Sequence, residues 1–219
     1  MFAGFDFAVL WANAPFLWNG MLLTLQLTLL AVAGGLLLGT VLAVIRLSPI
    51  KPMAWAVEAY VNFLRSMPLI LVIFWFYTLV PKLIGRPVSS FYSVLIAFVM
   101  FEAAYYSEII RAGISSVRRG QIAAAMALGL TTTQSMRYVV LPQAVRNMLP
   151  VLLTQSIVML QDTSLVYVVG LRDFLPSADI VASRDNRPTE LYLFVAIVFL
   201  VVCFSLSRVV NQLRRRYTL

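Results

Sequence analysis

The sequence predicts an all-α integral membrane protein with five transmembrane helices, and three observations support this fold class. Of the 219 residues, 61% are hydrophobic and only 12% are charged. That charged share is about half the share of a typical soluble domain, too low to cover a water-exposed surface. The apolar residues fall into five long runs, each near the roughly 20 residues that a membrane-spanning helix needs. The remaining charges lie in short segments between the runs, as expected for a protein whose surface faces lipid.

The five expected spans follow one another along a single domain that covers residues 1–219. A segment that includes Asn13, Pro15 and Asn19 precedes them, and its polar residues and proline predict an interfacial stretch. Residues 48–52 and 81–87 read as turns, and residues 111–147 form the longest polar stretch. The expected spans are residues 20–45, 54–80, 88–110, 149–170 and 189–211.

Small residues within the first expected span predict a packing face. Ala31, Gly35 and Gly39 recur at four-residue spacing, which places them on one side of a helix. Small residues in this arrangement let two helix backbones approach closely in lipid. We therefore expect this side of the first span to pack on another helix.

The distribution of Lys and Arg predicts the orientation of the chain. Five spans place the two termini on opposite sides, and one side collects ten basic residues against five on the other. The positive-inside rule then places the C-terminus in the cytoplasm, the N-terminus in the periplasm and the 111–147 stretch in the cytoplasm. The ten are Arg46, Lys51, Arg111, Arg118, Arg119, Arg137, Arg146, Arg214, Arg215 and Arg216; the five are Lys82, Arg86, Arg172, Arg184 and Arg187.

Composition also excludes several functions. The chain has no His and one Cys, Cys203, so no intrachain disulfide, no His/Cys metal site and no His-based acid–base chemistry are expected. A Gly-rich phosphate loop with a Lys is absent, and the chain cannot hydrolyse ATP itself. The net charge of +8 does not indicate a nucleic-acid partner, because the basic residues lie in short loops where the positive-inside rule explains them.

The middle of the 111–147 stretch predicts a short cytoplasmic helix. Residues 121–130 are rich in good helix formers and end near Gly129, after which three threonines suit a second helix start. A helix of this size cannot form a domain, but it suits a knob that docks into a groove on a partner protein. Pro142 marks the break before the chain returns to the membrane.

At this stretch the sequence resembles the EAA loop of binding-protein-dependent ABC importers. That pattern has Glu-Ala-Ala, three residues, Gly, nine residues, an aliphatic residue, any residue and Leu-Pro. Ala123–Ala125, Gly129, Val139, Leu141 and Pro142 match the spacing, and Ala123 replaces the Glu. Residues 64–77, 101–114 and 161–170 are similar to segments of polar-amino-acid permeases, and their combination is most similar to the smaller glutamate/aspartate permease subunit.

The resemblance implies a role and a set of partners. This chain would be a non-catalytic permease subunit in the bacterial inner membrane, paired with a copy of itself or a sister chain. A dimer of ATPase subunits would use ATP and Mg²⁺, and a periplasmic binding protein would deliver L-glutamate or L-aspartate. No cofactor is expected on this chain. The ATPase contact would involve Gly120, Gln121, Ala123, Ala124, Ala125, Leu128, Gly129, Leu141 and Pro142.

Polar residues inside the expected spans indicate candidates for the translocation path. Glu102 shares a helix face with Tyr105 and Tyr106, and a polar membrane-helix face must contact protein or water. The alternative is a buried ion pair, for example between Arg65 and Glu102 or Glu108, with Glu108 also three residues from Arg111. The candidate path residues are Arg65, Glu102, Gln161, Asp162, Thr163 and Ser164.

Three other functions are weighed against the importer. A permease for glutamine or another polar amino acid differs only in substrate. A self-contained carrier or channel would work without ATP, but carriers usually contain paired repeats, which are not evident here. A membrane-embedded enzyme would have to use a carboxylate pair such as Glu102 and Asp162, which no motif places together.

Overall fold

The computed structural model describes residues 7–217, and these residues are entirely helical apart from short connections. A π-helical turn, Met136–Val140, leads into α8, and a 3-10 segment, Thr163–Val169, follows it. The helices are α1 (Ala8–Ala12), α2 (Ala14–Leu47), α3 (Lys51–Arg65), α4 (Leu69–Ile84), α5 (Ser90–Ser115), α6 (Arg119–Ala127), α7 (Thr132–Ser135), α8 (Leu141–Asp162), α9 (Phe174–Asp185) and α10 (Pro188–Tyr217).

Helix α5 is the centre of the bundle, and α2 lies along it. An added Cβ on Gly35 would stand 2.7 Å from the Cβ of Glu102, and one on Gly39 would stand 2.8 Å from the Cβ of Tyr106. Such distances leave no room for a side chain, so the two backbones approach as closely as glycine allows. The predicted packing face of the first span is therefore confirmed, and its partner is α5. The buried stripe of α2 consists of Leu17, Gly20, Thr24, Leu27, Ala31, Gly35, Gly39 and Ala43.

The second expected span is not one helix, so that prediction is wrong. Helix α3 ends at Arg65, α4 begins at Leu69, and the two axes are bent by 109°. Pro68 explains the break, because the proline ring pushes the preceding residue, Met67, out of helical conformation. Arg65 therefore lies at the end of a helix next to the break, and not well inside a span.

Four described helical segments are long and apolar enough to cross a membrane, and the bent pair α3–α4 raises the number to five if it counts as one span. The four are Ala14–Leu47, Ser90–Ser115, Thr132–Val169 and Pro188–Arg215. The most exposed side chains of α2 and α10 include Leu29, Leu37 and Leu200, which are 69%, 72% and 66% exposed. Apolar side chains in such positions suit contact with lipid.

Several predicted boundaries also move. Helix α2 begins at Ala14 and includes Pro15 and Asn19, so the predicted interfacial segment shrinks to the short α1. Pro15 is tolerated there because the first turn of a helix has no partner for its N–H groups. The 111–147 stretch is largely helical, and α9 occupies most of the segment between the fourth and fifth expected spans.

The buried apolar residues of the described part of the chain form three clusters. The largest joins α2, α3, α4, α5, α8 and the 3-10 segment around Phe98 and Met159. A second joins the first turns of α2 to α9 and α10 around Phe174 and Leu191. The third is small and attaches α6 to the bundle, as described below.

Candidate coupling surface and translocation path

Helix α6 projects from the end of the bundle where α5 ends and α8 begins, and a small apolar cluster holds it there. Val117, Val140 and Ala144 are buried, and Ile114 and Ile122 pack against them. Ile122 belongs to α6, whereas Val140 and Ala144 belong to the π-helical turn and α8. Any force on α6 is therefore applied directly to the start of α8 and the end of α5.

A Schellman motif ends α6, as the glycine in the sequence predicted. Gly129 has a φ of 84°, a left-handed conformation that favours glycine. The N–H of Leu130 donates to the carbonyl of Ala125 at 3.1 Å, and the N–H of Gly129 donates to the carbonyl of Met126 at 3.0 Å. These bonds satisfy carbonyl groups that the helix end leaves free.

The chain then restarts a helix, also as predicted. Thr131 and Gln134 form a capping box, in which each side chain accepts a hydrogen bond from the other residue's backbone N–H. The π-helical turn Met136–Val140 follows, and α8 begins at Leu141 with Pro142 in its first turn. Proline fits this position because the first-turn N–H groups have no helical partner.

The side chains predicted to contact an ATPase are brought together on α6 and its cap, apart from two at the start of α8. Leu128 is 84% exposed and Met126 is 51% exposed, although both are apolar. Ala125, by contrast, is buried. The exposed members of the predicted set are Gly120, Gln121, Ala123, Ala124, Leu128, Gly129, Leu141 and Pro142.

A polar contact joins α5 to α8 in the interior of the bundle. Glu102 is fully buried, and its Oε1 accepts a hydrogen bond from Nε2 of Gln155 at 3.0 Å. One turn along α5, the hydroxyl of Tyr106 lies 2.9 Å from that of Ser156. The second carboxyl oxygen of Glu102 has no hydrogen-bond partner among residues 7–217. Glu102 therefore joins two spans in the interior of the bundle.

Glu108 is the centre of an ion-pair network that links α2, α3 and α5. Its Oε2 lies 2.5 Å from Nη1 of Arg46 and 4.0 Å from Nη1 of Arg65, and its Oε1 pairs with Arg111. Arg65 also lies over the Tyr105 ring, with 5.4 Å from its guanidinium carbon to the ring centroid. Of the two ion pairs weighed for Arg65, the structure forms the one with Glu108 and places Glu102 with Gln155.

The four remaining path candidates lie where α8 gives way to the 3-10 segment. Asp162 is half-buried and Gln161 is exposed. The Thr163 hydroxyl is buried and donates to the carbonyl of Leu160 at 2.7 Å, and the Ser164 hydroxyl donates to the carbonyl of Gln161 at 2.8 Å. The two hydroxyls are thus already used as donors, which leaves their oxygens as acceptors and Asp162 as the charged member of this group.

Two polar contacts at the opposite end of the bundle are not predicted by the sequence. Oδ2 of Asp173 accepts a hydrogen bond from Thr24 of α2 at 3.1 Å, and Oδ1 is buried with no hydrogen-bond partner among the described residues. Burial raises the pKa of Asp173 to about 7. Nearby, Arg184 holds the pKa of Asp185 below its usual value and also donates to Asn13 at 2.7 Å.

These contacts carry little signal in the sequence. The segment around Asp173 and Arg184 shows only a mixture of charges, which is typical of any loop. Arg46 fits the predicted topology, yet its side chain is only 8% exposed and pairs with Glu108. A charged residue at the end of a span satisfies the positive-inside rule whether or not it is paired, so the rule cannot distinguish the two cases.

The fold and the projecting helix α6 define a class of membrane transport protein, and comparison with known proteins identifies it. Residues 35–219 match the family described as binding-protein-dependent transport system inner membrane component. Along 97% of this chain and 98% of the relative, the sequence is 48% identical to the glutamate/aspartate import permease protein GltK of Escherichia coli O6:H1. It is 36% identical, over 95% and 96% of the two chains, to the probable glutamine ABC transporter permease protein GlnM of Bacillus subtilis strain 168.

Solved structures agree with these relatives. A crystal structure of an amino acid ABC transporter with histidines matches with a TM-score of 0.90 and 35% identity, covering 97% of this chain and 99% of the other. An inward-facing structure of the methionine ABC transporter MetNI matches with a TM-score of 0.73 at 18% identity, which shows the shared fold alone.

The chain belongs to the binding-protein-dependent transport system inner membrane component family. It is a multi-pass inner-membrane permease subunit of an amino-acid ABC importer. Permease subunits of this kind are the non-catalytic transmembrane components of their transporters.

Proposed function

We propose that this chain carries L-glutamate and L-aspartate into the cytoplasm as one of two permease subunits of an ATP-driven importer. The observation that carries the substrate assignment is the 48% identity, over 97% of the chain, to a glutamate/aspartate import permease. A periplasmic binding protein delivers the amino acid, and the second permease subunit is a copy of this chain or a sister chain. The whole sequence, residues 1–219, acts as one transmembrane domain.

A separate ATPase dimer, which uses ATP and Mg²⁺, supplies the energy through α6. The exposed apolar side chains of Met126 and Leu128 support this contact, because a helix that projects from a membrane bundle has no lipid to cover them. The small cluster around Val140 ties α6 to α8. Closure of the ATPase dimer therefore moves α6, and α6 moves the spans to which it is attached. The Leu-Pro pair at Leu141 and Pro142 begins the span that follows the coupling helix.

The chain crosses the membrane five times, with its N-terminus in the periplasm and its C-terminus in the cytoplasm. This topology counts the bent pair α3–α4 as one crossing. It also places α6 on the cytoplasmic side, where an ATPase binds. The distribution of basic residues supports this orientation.

The proposed path uses Arg65, Glu102, Gln161, Asp162, Thr163 and Ser164. Every amino acid carries an ammonium group, so the carboxylates of Glu102 and Asp162 are suited to that group even when the substrate is acidic. Arg65 is half-exposed, which leaves its guanidinium able to meet a substrate carboxylate. The buried Oε2 of Glu102, which has no hydrogen-bond partner among the described residues, supports this assignment.

One alternative keeps the class and changes the substrate. The 36% identity to a probable glutamine permease supports glutamine or another polar amino acid. A carrier or channel that works alone would instead ignore ATP. The measurement that separates these functions is uptake of radiolabelled glutamate by proteoliposomes that contain the chain with its ATPase, second permease subunit and binding protein.

We expect uptake that requires ATP on the ATPase side of the membrane, requires the binding protein and is competed by aspartate. ATP-dependent uptake of glutamine, with no competition by aspartate, would replace the substrate and keep the class. Uptake that proceeds without ATP would contradict the proposed importer mechanism itself.

A further inference from the structure

A polar groove lies between α8 and α10, outside the coupling surface and the proposed path. Its volume is about 450 Å³, within the range of small-molecule sites. Two arginines, Arg146 of α8 and Arg214 of α10, line one end of it. Asn147 and Asn211 lie beside them, so both helices contribute a cation and an amide to the same opening.

The groove extends from these arginines toward the apolar part of the bundle. Thr154 and Val151 also line it, and Thr154 stands eight residues from Arg146, or about 12 Å along the helix. On α10, Val210 lines the groove one turn before Arg214. The occupant must therefore have a polar end at the arginines and an apolar part that follows the helices into the membrane.

The charge of the groove selects an anion. Its described lining contains neither Asp nor Glu. Arg146 forms no hydrogen bond or ion pair with any residue of the 7–217 range, so its guanidinium keeps its donors for a ligand. Guanidinium groups recognise phosphate oxygens by paired hydrogen bonds.

We propose that this groove binds an anionic phospholipid, with the phosphate at Arg146 and Arg214 and an acyl chain against Val151 and Val210. Basic pockets between membrane helices on the cytoplasmic side are suited to such head groups. A protein segment would contact only the outer edge of the groove. A phospholipid would occupy both the charged opening at the arginines and the apolar part of the groove beyond it. The lipid belongs to the inner leaflet in the orientation proposed above.

The test is native mass spectrometry of the purified transporter, with all its subunits, titrated with phosphatidylglycerol or phosphatidylethanolamine. We expect bound phosphatidylglycerol at lower concentration than phosphatidylethanolamine. Since each basic side chain near a membrane surface contributes about fivefold in affinity, R146Q combined with R214Q weakens phosphatidylglycerol binding by about 25-fold. Lys51→Gln removes one exposed charge from the same predicted side and should leave the titration unchanged.

Two further measurements test whether the groove has the shape of a lipid site. Val151→Trp fills the groove while both arginines remain, and it should displace the lipid from a transporter that still elutes as one species. Inorganic phosphate, which has the charge without the acyl chain, should not displace phosphatidylglycerol. An unchanged titration in the double variant of Arg146 and Arg214 or in Val151→Trp, displacement by phosphate, or equal binding of both lipids would overturn the proposal. If the double variant loses the ATPase while its lipid titration is unchanged, the groove is a contact site for the ATPase and not a lipid site.

Discussion

Asp162 is the half-buried charge at the end of α8, where the helix tightens into the 3-10 segment. Asp162→Asn keeps the shape of the side chain and removes its charge. If Asp162 binds the substrate ammonium group, the loss of a charged hydrogen bond worth about 1.5–3 kcal/mol lowers uptake about tenfold or more. The measurement is ATP-dependent uptake at a fixed substrate concentration, with the amount of assembled transporter determined in the same preparation.

Asp179→Asn is the matched control for this substitution. Asp179 is exposed on α9 and accepts a hydrogen bond from Tyr192, which an asparagine oxygen also accepts. The Asp179→Asn variant should therefore transport the substrate as well as the parent chain does. Uptake by Asp162→Asn equal to that of this control would remove Asp162 from the path.

Asp173 makes the stability of the chain depend on pH. Its pKa is raised to about 7, so the folded state favours the protonated carboxyl. The stabilisation is complete below the unfolded pKa of about 3.9 and is lost as the pH rises through 7. Between pH 5.5 and 8 the loss is about 2 kcal/mol. No histidine titrates in this range, because the sequence contains none.

Thermal unfolding of the detergent-solubilised protein at pH 5.5 and pH 8 measures this effect. The parent chain should unfold at a lower temperature at pH 8, and Asp173→Asn should reduce the difference between the two temperatures. Asp179→Asn again serves as the control, because its carboxylate is exposed. Equal pH dependence in both variants would show that Asp173 is not protonated on folding.

At the scale of the helices, the contact between α2 and α5 depends on Gly39. A Cβ at this position would stand 2.8 Å from the Cβ of Tyr106 and 2.9 Å from the carbonyl oxygen of Ala103. Gly39→Val therefore pushes the two helices apart, and we expect it to destabilise the protein by about 1–3 kcal/mol. Ala33→Val adds methyl groups to the exposed side of α2 and should cost little. Thermal unfolding of the two variants at one pH distinguishes them, and equal stabilities would contradict the tight packing.

Helix α6 offers a closely matched control for its proposed contact with the ATPase. Leu128 and Leu83 are both 84% exposed, but Leu128 ends α6 whereas Leu83 lies near the end of α4. If the ATPase buries Leu128, Leu128→Asn removes about 1.5–3 kcal/mol of apolar contact and weakens ATPase retention about tenfold or more. Leu83→Asn should retain the ATPase fully during affinity purification. Equal retention by both variants would exclude Leu128 from the contact.

The helices also show which parts of the fold the sequence predicted and which it did not. The glycine stripe predicted the packing of α2 because small residues at four-residue spacing in a membrane helix mainly serve to bring two backbones together. Gly129 and the threonines predicted the stop and restart around α6 through local hydrogen bonds alone. The break at Pro68 was missed because the residues on both sides of it were assigned to one span by their hydropathy, and hydropathy does not show where a helix axis changes direction. Helix α9 was missed because its apolar positions are spaced among charges.

For the candidate site, the sequence identified polar residues but not their partners. Glu102 was a candidate in the sequence, but its hydrogen bond with Gln155 depends on how α5 and α8 cross. The network around Glu108 joins residues 46, 65, 108 and 111, which are distant in the sequence apart from one neighbouring pair. Contacts of this kind follow from the tertiary packing, which the local pattern does not contain.

At the scale of the whole molecule, the bent pair α3–α4 decides how many times the chain crosses the membrane. If the pair is one crossing, Ile50 and Arg86 lie on opposite sides, whereas a re-entrant loop would leave both on the same side. All variants carry Cys203→Ala, which removes the chain's one native cysteine. Each of the exposed residues Ile50, Arg86, Arg119 and Ser183 is then changed to Cys in turn.

A membrane-impermeant thiol reagent applied to intact spheroplasts should label Arg86→Cys and Ser183→Cys. Ile50→Cys and Arg119→Cys should react only after permeabilisation, because the ten-to-five distribution of basic residues places them in the cytoplasm. Labelling of Ile50→Cys and Arg86→Cys from the same side would make α3–α4 a re-entrant loop and reduce the count to four crossings. Arg119 would then lie on the side opposite Ile50. Labelling of both Ile50→Cys and Arg86→Cys from outside would keep α6 in the cytoplasm, whereas protection of both would place α6 in the periplasm and contradict its contact with an ATPase. The pair Ile50→Cys and Arg86→Cys therefore tests the crossing number, and Arg119→Cys tests whether α6 lies on the side of the ATPase.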